Sequence, residues 1–407
     1  MNDLLALRDM ESEERELVPE ILPVDARLSI TGSASALASL FSSANSVTPL
    51  KEIIPNTGYV LLEAFDQTSK NVSYVQVSAT DGERAIAVLD DSFTVRMSGS
   101  VLIPGKKVAD ILKLALEDEI RLDVVGTSAT IRSGRAIWTV STPPTEYALP
   151  SFASTENITL HTLATAGLLQ ALELVYPAVA KTTARQSLMQ AEVAKGFITS
   201  CDGVRAHRVR VDDLPKGLST TIPLRFLETA IKELKAHQEE YVQFGSDHST
   251  VVFHFGRNIL MGQRLNFDYP AVEHLVLGPA LSNEESLHLN VDDLIGAVRR
   301  VRVNADPDYS ALFLSLRTIA GSWSLTVRAR DTHGNSSQET IPASYEGSAQ
   351  AKDIVVNHKY FLEFLACLNG DITLKLGEST KTKQAPLYVA EDTFIGSLMV
   401  MAPNFVK

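Results

Sequence analysis

Apolar and polar residues follow two periods along this chain, and the two periods recur in the same order three times. Stretches with apolar residues every three or four positions predict helices. Stretches that alternate every second position, split by Gly, Ser or Asp, predict antiparallel strands. Each repeat therefore reads as strand, helix, strands, helix, strands. The first helices are predicted over Ala34–Val47, Thr165–Val179 and Val291–Val303, and the second ones begin at Ile103, Ile222 and Val356.

Tight turns separate the strands that lie between the two helices of each repeat. They are Thr80–Arg84 (TDGER), Cys201–Arg205 (CDGVR) and a looser turn at Asp331–Gly334. Pro104 and Pro223 fit the first turn of a second helix. Three matched units of about 130 residues predict three α+β domains. We expect an N-terminal extension over residues 1–26 and domains over 27–150, 151–280 and 281–407.

The composition is that of an ordinary globular protein. Hydrophobic residues make up 45% and charged residues 21% of the 407 positions, which excludes a disordered chain, a collagen-like fibre and a coiled-coil rod. No apolar run approaches the ~20 residues that span a bilayer, and residues 1–17 lack the apolar core of a signal peptide. The cysteines, Cys201 and Cys367, are too few and too far apart for a disulfide framework or a zinc–thiolate site. We expect a cytoplasmic protein.

Catalytic signatures are missing from the sequence. It has no GxGxxG, GxSxG or HExxH motif. The nearest approach to a phosphate-binding loop, at Ile103–Lys107, has Ser100 and Lys107 where a Walker A motif needs Gly and Ser or Thr. Cys201 has no accompanying His, which favours a buried structural thiol over a nucleophile. The sequence thus predicts no enzyme, no metal and no cofactor.

The formal net charge is −12, and residues 1–25 carry half of it, with eight acidic and two basic side chains. Many basic residues of the rest lie on the polar faces of the predicted helices. Two explanations are open for this pattern. The basic residues either lie on solvated helix faces with local salt pairs, or they form a surface that binds the phosphates of a nucleic acid. The threefold repeat favours the second explanation, because units arranged around an axis would gather their helices on one side.

Several motifs resemble the bacterial DNA polymerase III beta sliding clamp family, over about residues 27–401. The similar segments occur in the same order across all three repeats. They are ATDGERA (79–85), IPGKKVADILK (103–113), IRSGRAIWTVST (131–142), SCDGVRA (200–206), IPLRFLETAIKEL (222–234), RLNFDYP (264–270) and SLMVMAP (397–403).

This resemblance implies three clamp-type domains, each with two helices packed on antiparallel sheet, that form half of a closed ring. Two chains would join head to tail, and duplex DNA would thread the ring without its sequence being read. The implied dimer interface is Trp138, Val140, Val301 and Val303. The implied DNA-facing residues are Lys51, Lys106, Lys113, Lys181, Arg185, Arg225, Lys232, Lys235, Arg299 and Arg300.

The resemblance also implies a groove between the second and third domains that binds peptide tails of the replicative DNA polymerase, the clamp-loader ATPase and repair proteins. Its wall would be Arg185, Leu188, Cys201, Gly203, Arg205, Ala206, Pro270, Leu275, Met399, Val400 and Met401. The sequence departs from the family at Cys201 (usually Thr), at Ala206 (usually a larger aliphatic residue) and at Met401–Pro403 (usually Met-Pro-Met).

Three points stay open at the level of sequence. The chain is either a chromosomal clamp or a diverged clamp of a phage or plasmid with its own partners. The competing class is a three-repeat α+β enzyme whose site the sequence hides. The acidic extension is either a disordered tail or a short arm that touches a partner or mimics the charge of DNA.

Overall fold

The structure is a computed structural model. It describes residues 27–67, 72–144, 147–150, 155, 157–182, 184–272, 285–348, 351–376, 387–391 and 393–398. The predicted extension over residues 1–26 lies outside the described residues, as do the predicted groove residues Leu275, Met399, Val400 and Met401. The chain divides into two compact units, one with residues up to Thr165 and Thr229–Arg264, the other with Ala166–Glu228 and the residues from Leu265 onward. The three predicted domain boundaries stay a prediction.

The described residues include six helices. They are α1 (Ala34–Ala44), α2 (Gly105–Leu112), α3 (Thr165–Val175), α4 (Leu224–His237), α5 (Val291–Val301) and α6 (His358–Leu365). The first helix of each repeat begins at the predicted residue. Side-chain caps explain two of these starts, because Ser33 accepts a hydrogen bond from the Ala36 N–H and Asn290 accepts from the N–H groups of Asp292 and Asp293.

The same three helices end two to four residues before the predicted position. Short 3₁₀ turns, Tyr176–Ala178 and Arg302–Asn304, continue α3 and α5, and the tighter winding is common at helix ends. The two prolines lie just outside their helices. Pro104 is the residue before α2, and Pro223 ends an edge strand, where proline costs no ladder hydrogen bond. Their expected place in the first helical turn is therefore wrong by one position.

Twenty-six strands alternate with the helices in the described residues. The first repeat holds β1 (Arg27–Ser33), β2 (Val60–Gln67), β3 (Val72–Thr80), β4 (Arg84–Asp90), β5 (Thr94–Met97), β6 (Gly99–Ile103), β7 (Glu119–Val125), β8 (Ser128–Ser133) and β9 (Ala136–Ser141). The second holds β10 (Leu160–Ala164), β11 (Gln190–Ala194), β12 (Phe197–Cys201), β13 (Arg205–Arg210), β14 (Ser219–Pro223), β15 (Tyr241–Ser246), β16 (Thr250–Phe255) and β17 (Asn258–Gln263). The third holds β18 (Ser286–Asn290), β19 (Ala311–Ile319), β20 (Ser322–Arg330), β21 (Ser336–Pro342), β22 (Ser344–Glu346), β23 (Lys352–Asn357), β24 (Asp371–Leu376), β25 (Leu387–Ala390) and β26 (Phe394–Leu398).

Two large antiparallel sheets have the same strand order. In the first unit the order is β6-β2-β3-β4-β17-β16-β15-β10, and in the second it is β14-β11-β12-β13-β26-β25-β24-β18, with β22 added at the end. Each sheet thus joins four strands of one repeat to the strands of the following repeat. The repeat inferred from the sequence is confirmed as a repeat of topology.

Two smaller sheets carry the remaining strands. The first unit holds β5-β1-β7-β8-β9, and the second holds β21-β20-β19-β23. Every pairing in the four sheets of the described residues is antiparallel, and the helices pack on them, so the α+β class is confirmed. No helix within the described residues is long and apolar enough to cross a membrane.

Candidate functional site

The segment from Cys201 to Arg205 forms a tight turn between β12 and β13. Asp202 organises it, because its Oδ1 accepts hydrogen bonds from the N–H groups of Val204 and Arg205, both at 2.8 Å. The turn places Gly203 at φ +89°, a conformation that other residues adopt only with strain. A Cβ built on Gly203 meets no atom of the described residues within 4 Å, so none of them fills the space above the turn.

Arg205 is buried beside this turn and fully engaged. Its guanidinium donates to Asp202 Oδ2 at 3.0 Å and to the carboxylate of Glu363 on α6, and it lies 4.8 Å from the ring centre of Tyr360. Its side chain is 4% exposed. Arg205 therefore fixes the turn to the helix of the following repeat, and its charge is not free at a groove rim.

An apolar floor lies next to the turn. Three predicted groove residues, Leu188, Cys201 and Ala206, belong to one buried cluster. The cluster is completed by residues that the sequence did not single out. They are Ala180 and Val272, with Met189, Tyr269 and Ile395 packed against it. The structure thus brings together an apolar cluster that includes Cys201 and Ala206, the residues on either side of the Gly203 turn.

The other described groove residues lie near this floor or at its ends. Pro270 is half-buried, and its carbonyl accepts from the Val272 N–H at 2.7 Å. Arg185 is exposed and begins the 3₁₀ turn that carries Leu188. Burial raises the pKa of the Cys201 thiol. A buried, protonated thiol is a packing group and not a nucleophile, which agrees with the structural reading of Cys201.

The same turn occurs in the first repeat. Asp81 Oδ1 accepts from the N–H groups of Glu83 and Arg84, and Gly82 has the same φ of +89°. Thr80 Oγ1 accepts from the Gly82 N–H at 3.0 Å, as Cys201 Sγ accepts from the Gly203 N–H at 3.4 Å. Cys201 therefore replaces the Thr hydroxyl in its structural role.

The third repeat keeps the turn with a different side chain. Asp331 Oδ1 accepts from the N–H groups of His333 and Asn335, and Gly334 also has φ +89°. Asn335 donates to Asp331 Oδ2 at 2.7 Å, where Arg84 and Arg205 donate in the other repeats. The turn that looked looser in the sequence is the same turn with one more residue.

The ten predicted DNA-facing residues are all exposed. Several have acidic neighbours. Lys113 lies 3.5 Å from Asp110, and Arg300 makes two hydrogen bonds of 2.6–2.7 Å with Glu339. Arg299, one residue earlier on α5, has no ion pair within the described residues. These side chains therefore differ in how far an acidic neighbour already pairs with them.

The fold of this chain is similar to that of several solved structures. The chain aligns with the DNA polymerase III subunit beta sliding clamp of Bartonella birtlesii (TM-score 0.81, 18% identity, 92% of this chain and 100% of that one). The beta subunit of Thermotoga maritima gives a TM-score of 0.81 at 16% identity, covering 92% and 99%. The sliding clamp of Bacillus subtilis gives 0.80 at 18%, covering 93% and 100%. The chain has the sliding-clamp fold.

The similarity to sliding clamps is found by comparing structures and not by comparing sequences. No protein-family model matches the sequence, and no curated protein matches it. The likeness to the clamps therefore lies in the fold, which confirms the resemblance drawn from the short motifs. Among the described residues, no group of His, Cys, Asp and Glu side chains could hold a metal ion.

The predicted interface residues belong to both units, Trp138 and Val140 to the first and Val301 and Val303 to the second. On β9, an edge strand, Trp138 is half-buried and the neighbouring Ile137 is 64% exposed, whereas Val140 is 1% exposed. In the second unit Val303 is 80% exposed and Val301 is 2% exposed. Val140 and Val301 are thus buried within their own chain, and Ile137, which the sequence did not single out, is the exposed apolar residue of β9.

Proposed function

We propose that the chain is a DNA sliding clamp, a processivity factor without catalytic activity. In this proposal two chains close head to tail around duplex DNA. A clamp-loader ATPase opens the ring, and a groove beside Gly203 tethers the replicative polymerase and other partners. The fold shared with polymerase III beta clamps over 92% of the chain supports this function.

Two edge strands support the head-to-tail closure. The large sheets join β4 to β17 and β13 to β26, so the strand after each turn pairs with the last strand of the next repeat. In the described part of the chain, β9 and β21 are the corresponding strands that lack such a partner, and both are sheet edges. Pairing β9 of one chain with β21 of another applies the same rule and removes two open edges.

The internal sheet also predicts the register of this pairing. Leu260 pairs with Ile86 in the β17–β4 ladder. Trp138 is the third residue of β9, as Leu260 is of β17. Asn335 holds the turn position of Arg84, so Ser337 corresponds to Ile86. Trp138 should therefore lie opposite the partner's Ser337.

The burial pattern agrees with this register. Trp138 and Ser337 are both half-buried, whereas their neighbours Thr139 and Ser336 are both exposed, so inward side chains meet inward ones. Ser337 donates to the carbonyl of Val301 at 2.6 Å. The predicted pairing thus brings Trp138 toward the end of the partner's α5, which the exposed Val303 follows.

Disulfide trapping tests the register. Paired strand residues have Cα atoms ~4.5–5.5 Å apart, within disulfide range. A variant that carries both Trp138→Cys and Ser337→Cys should form a covalent dimer when it is oxidised. The matched control, Trp138→Cys with Ser336→Cys, points the two thiols to opposite faces and should give none. Equal cross-linking of both pairs would contradict the register. The interface itself is tested by Trp138→Glu, which should give monomers by light scattering.

The exposed basic residues support sequence-independent DNA binding. Lysine and arginine side chains at a duplex bind phosphates, which gives steep salt dependence and no base preference. Topological linkage tolerates weak contacts, so a modest number of exposed basic side chains is enough for a ring that slides.

The apolar floor beside Gly203 supports a peptide-binding groove. Two buried aliphatic anchors contribute roughly 1.5–3 kcal/mol each before ordering costs, which suits an exchangeable tether. The Bartonella clamp was solved with griselimycin bound, so griselimycin is a direct probe. We expect it to bind the wild type, and Gly203→Leu, which fills the space above the turn, to abolish binding.

Retention on circular DNA tests the function itself. After loading on a nicked circle by a clamp loader, the protein should stay bound through gel filtration and be lost when the circle is linearised. Trp138→Glu, which should not close the ring, is the control. Equal retention on circular and linear DNA would show ordinary binding and would contradict a topological clamp.

A further inference from the structure

The two matched turns differ in what lies above their glycines. A Cβ built on Gly82 would overlap Ile54 Cδ1, whereas a Cβ on Gly203 meets no atom of the described residues within 4 Å. The space that no described residue fills in the second repeat is therefore filled in the first repeat, and the occupant is an aliphatic side chain of the same chain.

The two turns share the residue that follows them and the pairing of their strands. Ala85 and Ala206 follow the turns at the same position, and both are buried. Each pairs with the last strand of the following repeat, Ala85 with Met261 and Ala206 with Ser397. The first unit thus repeats the glycine turn and the strand pairing that flank Gly203.

The loop that supplies Ile54 is weakly packed. Leu50 and Ile53 are almost fully exposed, at 101% and 88%, and Ile54 itself is 39% exposed. The following residues hold the loop by polar contacts, because Thr57 Oγ1 donates to the Ile54 carbonyl at 2.7 Å and Asn56 Nδ2 donates to the Ala148 carbonyl at 3.0 Å. Asn56 also adopts the left-handed region at φ 69°. Leu50 and Ile53 therefore add little packing that would hold the loop in place, and such segments open most readily.

We propose that the first unit carries a second peptide site, centred on Gly82, which the chain's own loop closes with Ile54. When Ile54 withdraws, the site takes an extended segment of a partner protein with one branched aliphatic anchor. The seated Ile54 is the reason for this choice of ligand. The inference deepens the proposed function, since it rests on the Gly203 groove as a peptide site, and it gives each chain one constitutive site and one gated site.

The experiment counts peptide sites on the full-length chain. The probe is a fluorescein-labelled peptide of residues 48–56 (TPLKEIIPN), titrated by anisotropy and by calorimetry. We expect one site per chain in the wild type and two in Ile54→Ala. The matched control is Ile53→Ala, which removes an exposed isoleucine of the same loop and should leave one site. Adding Gly82→Leu to Ile54→Ala should remove the gained site.

The proposal and the Gly203 groove fail separately in this design. If Ile54→Ala gains no site over the wild type, the gated site is overturned, whatever the wild type binds. If the Gly203→Leu variant keeps the wild-type site, the proposed groove is wrong, while a site gained by Ile54→Ala still supports the gated one. Circular dichroism of Ile54→Ala is expected to match the wild type, because the side chain is at the surface.

Discussion

The Arg205 guanidinium contacts the Glu363 carboxylate, and this contact ties the second repeat to the third. Arg84 makes the corresponding contact in the first unit, where it donates to Thr229 Oγ1 at 2.6 Å. Thr229 lies six residues after Pro223, and Glu363 lies six residues after Asn357, the residues that end the matched strands β14 and β23. Each turn thus reaches the same position on the second helix of the following repeat.

Replacing Arg205 should lower the stability of the chain. Arg205→Met leaves the mostly buried Asp202 carboxylate without its cation, and breaking a buried pair costs about 3 kcal/mol or more. Urea unfolding measures this loss. The control is Arg210→Met, which breaks an exposed pair with Asp212 and should cost under ~1 kcal/mol. Equal losses in both variants would contradict a structural role for Arg205.

Cys201 should be replaceable by threonine but not by valine. Threonine supplies the hydroxyl acceptor that Thr80 gives to the Gly82 N–H, so Cys201→Thr should stay within ~1 kcal/mol of the wild type. Cys201→Val keeps the size and removes the acceptor from the Gly203 N–H. We expect faster hydrogen exchange of the Gly203 amide in Cys201→Val alone. Fast exchange in both variants would mean that the thiol contact does not hold the turn.

Local signals in the sequence predicted the elements well. The helix starts at Ala34 and Val291 follow from the capping side chains of Ser33 and Asn290, which a sequence shows directly. The helix ends were less accurate, because the change from α to 3₁₀ winding depends on tertiary packing. The glycine turns at Gly82 and Gly203 were found because Asp-Gly pairs mark them.

Contacts between distant segments could not be predicted from the sequence. The β4–β17 and β13–β26 pairings join residues more than 170 positions apart, and alternation along one strand does not name its partner. For the same reason Ala180 and Val272 were missed as members of the apolar cluster that holds Leu188, Cys201 and Ala206. Val140 and Val301 were assigned to the dimer interface, but burial inside one chain and burial between two chains produce the same apolar pattern.

The adjacent residues Arg299 and Arg300 should contribute differently to DNA binding. Glu339 engages Arg300 through two hydrogen bonds, whereas Arg299 is exposed without an ion pair in the described part of the chain. Arg299→Gln should reduce the slope of log K against log salt by roughly one, the effect of losing one phosphate contact. Arg300→Gln should change it less. The measurement is duplex affinity at several salt concentrations, and a larger effect at Arg300 would contradict the contact pattern.

Acid should destabilise the second unit through His207. Its Nδ1 lies 2.6 Å from the Leu174 carbonyl, and its ring packs against Phe364 and Phe394. Burial lowers the pKa of His207 to about 4, and the nearby Arg205 adds to this shift. An unfolded histidine has a pKa near ~6.5, so between these values the unfolded state binds a proton that the folded state does not. Stability should therefore fall as the pH drops from ~6.5 toward 4.

Two histidine variants separate the contribution of His207 to the pH dependence of stability from that of the other titrating groups. Between pH 7 and pH 5 the histidine should account for a loss of roughly 2 kcal/mol. In His207→Gln the amide is able to donate to the Leu174 carbonyl and does not titrate, so that part of the pH dependence should disappear. His333→Gln, which changes an exposed histidine, should retain the wild-type profile. Urea unfolding at both pH values measures the difference, and a His207→Gln profile parallel to the wild type would mean that His207 accepts a proton in the folded chain.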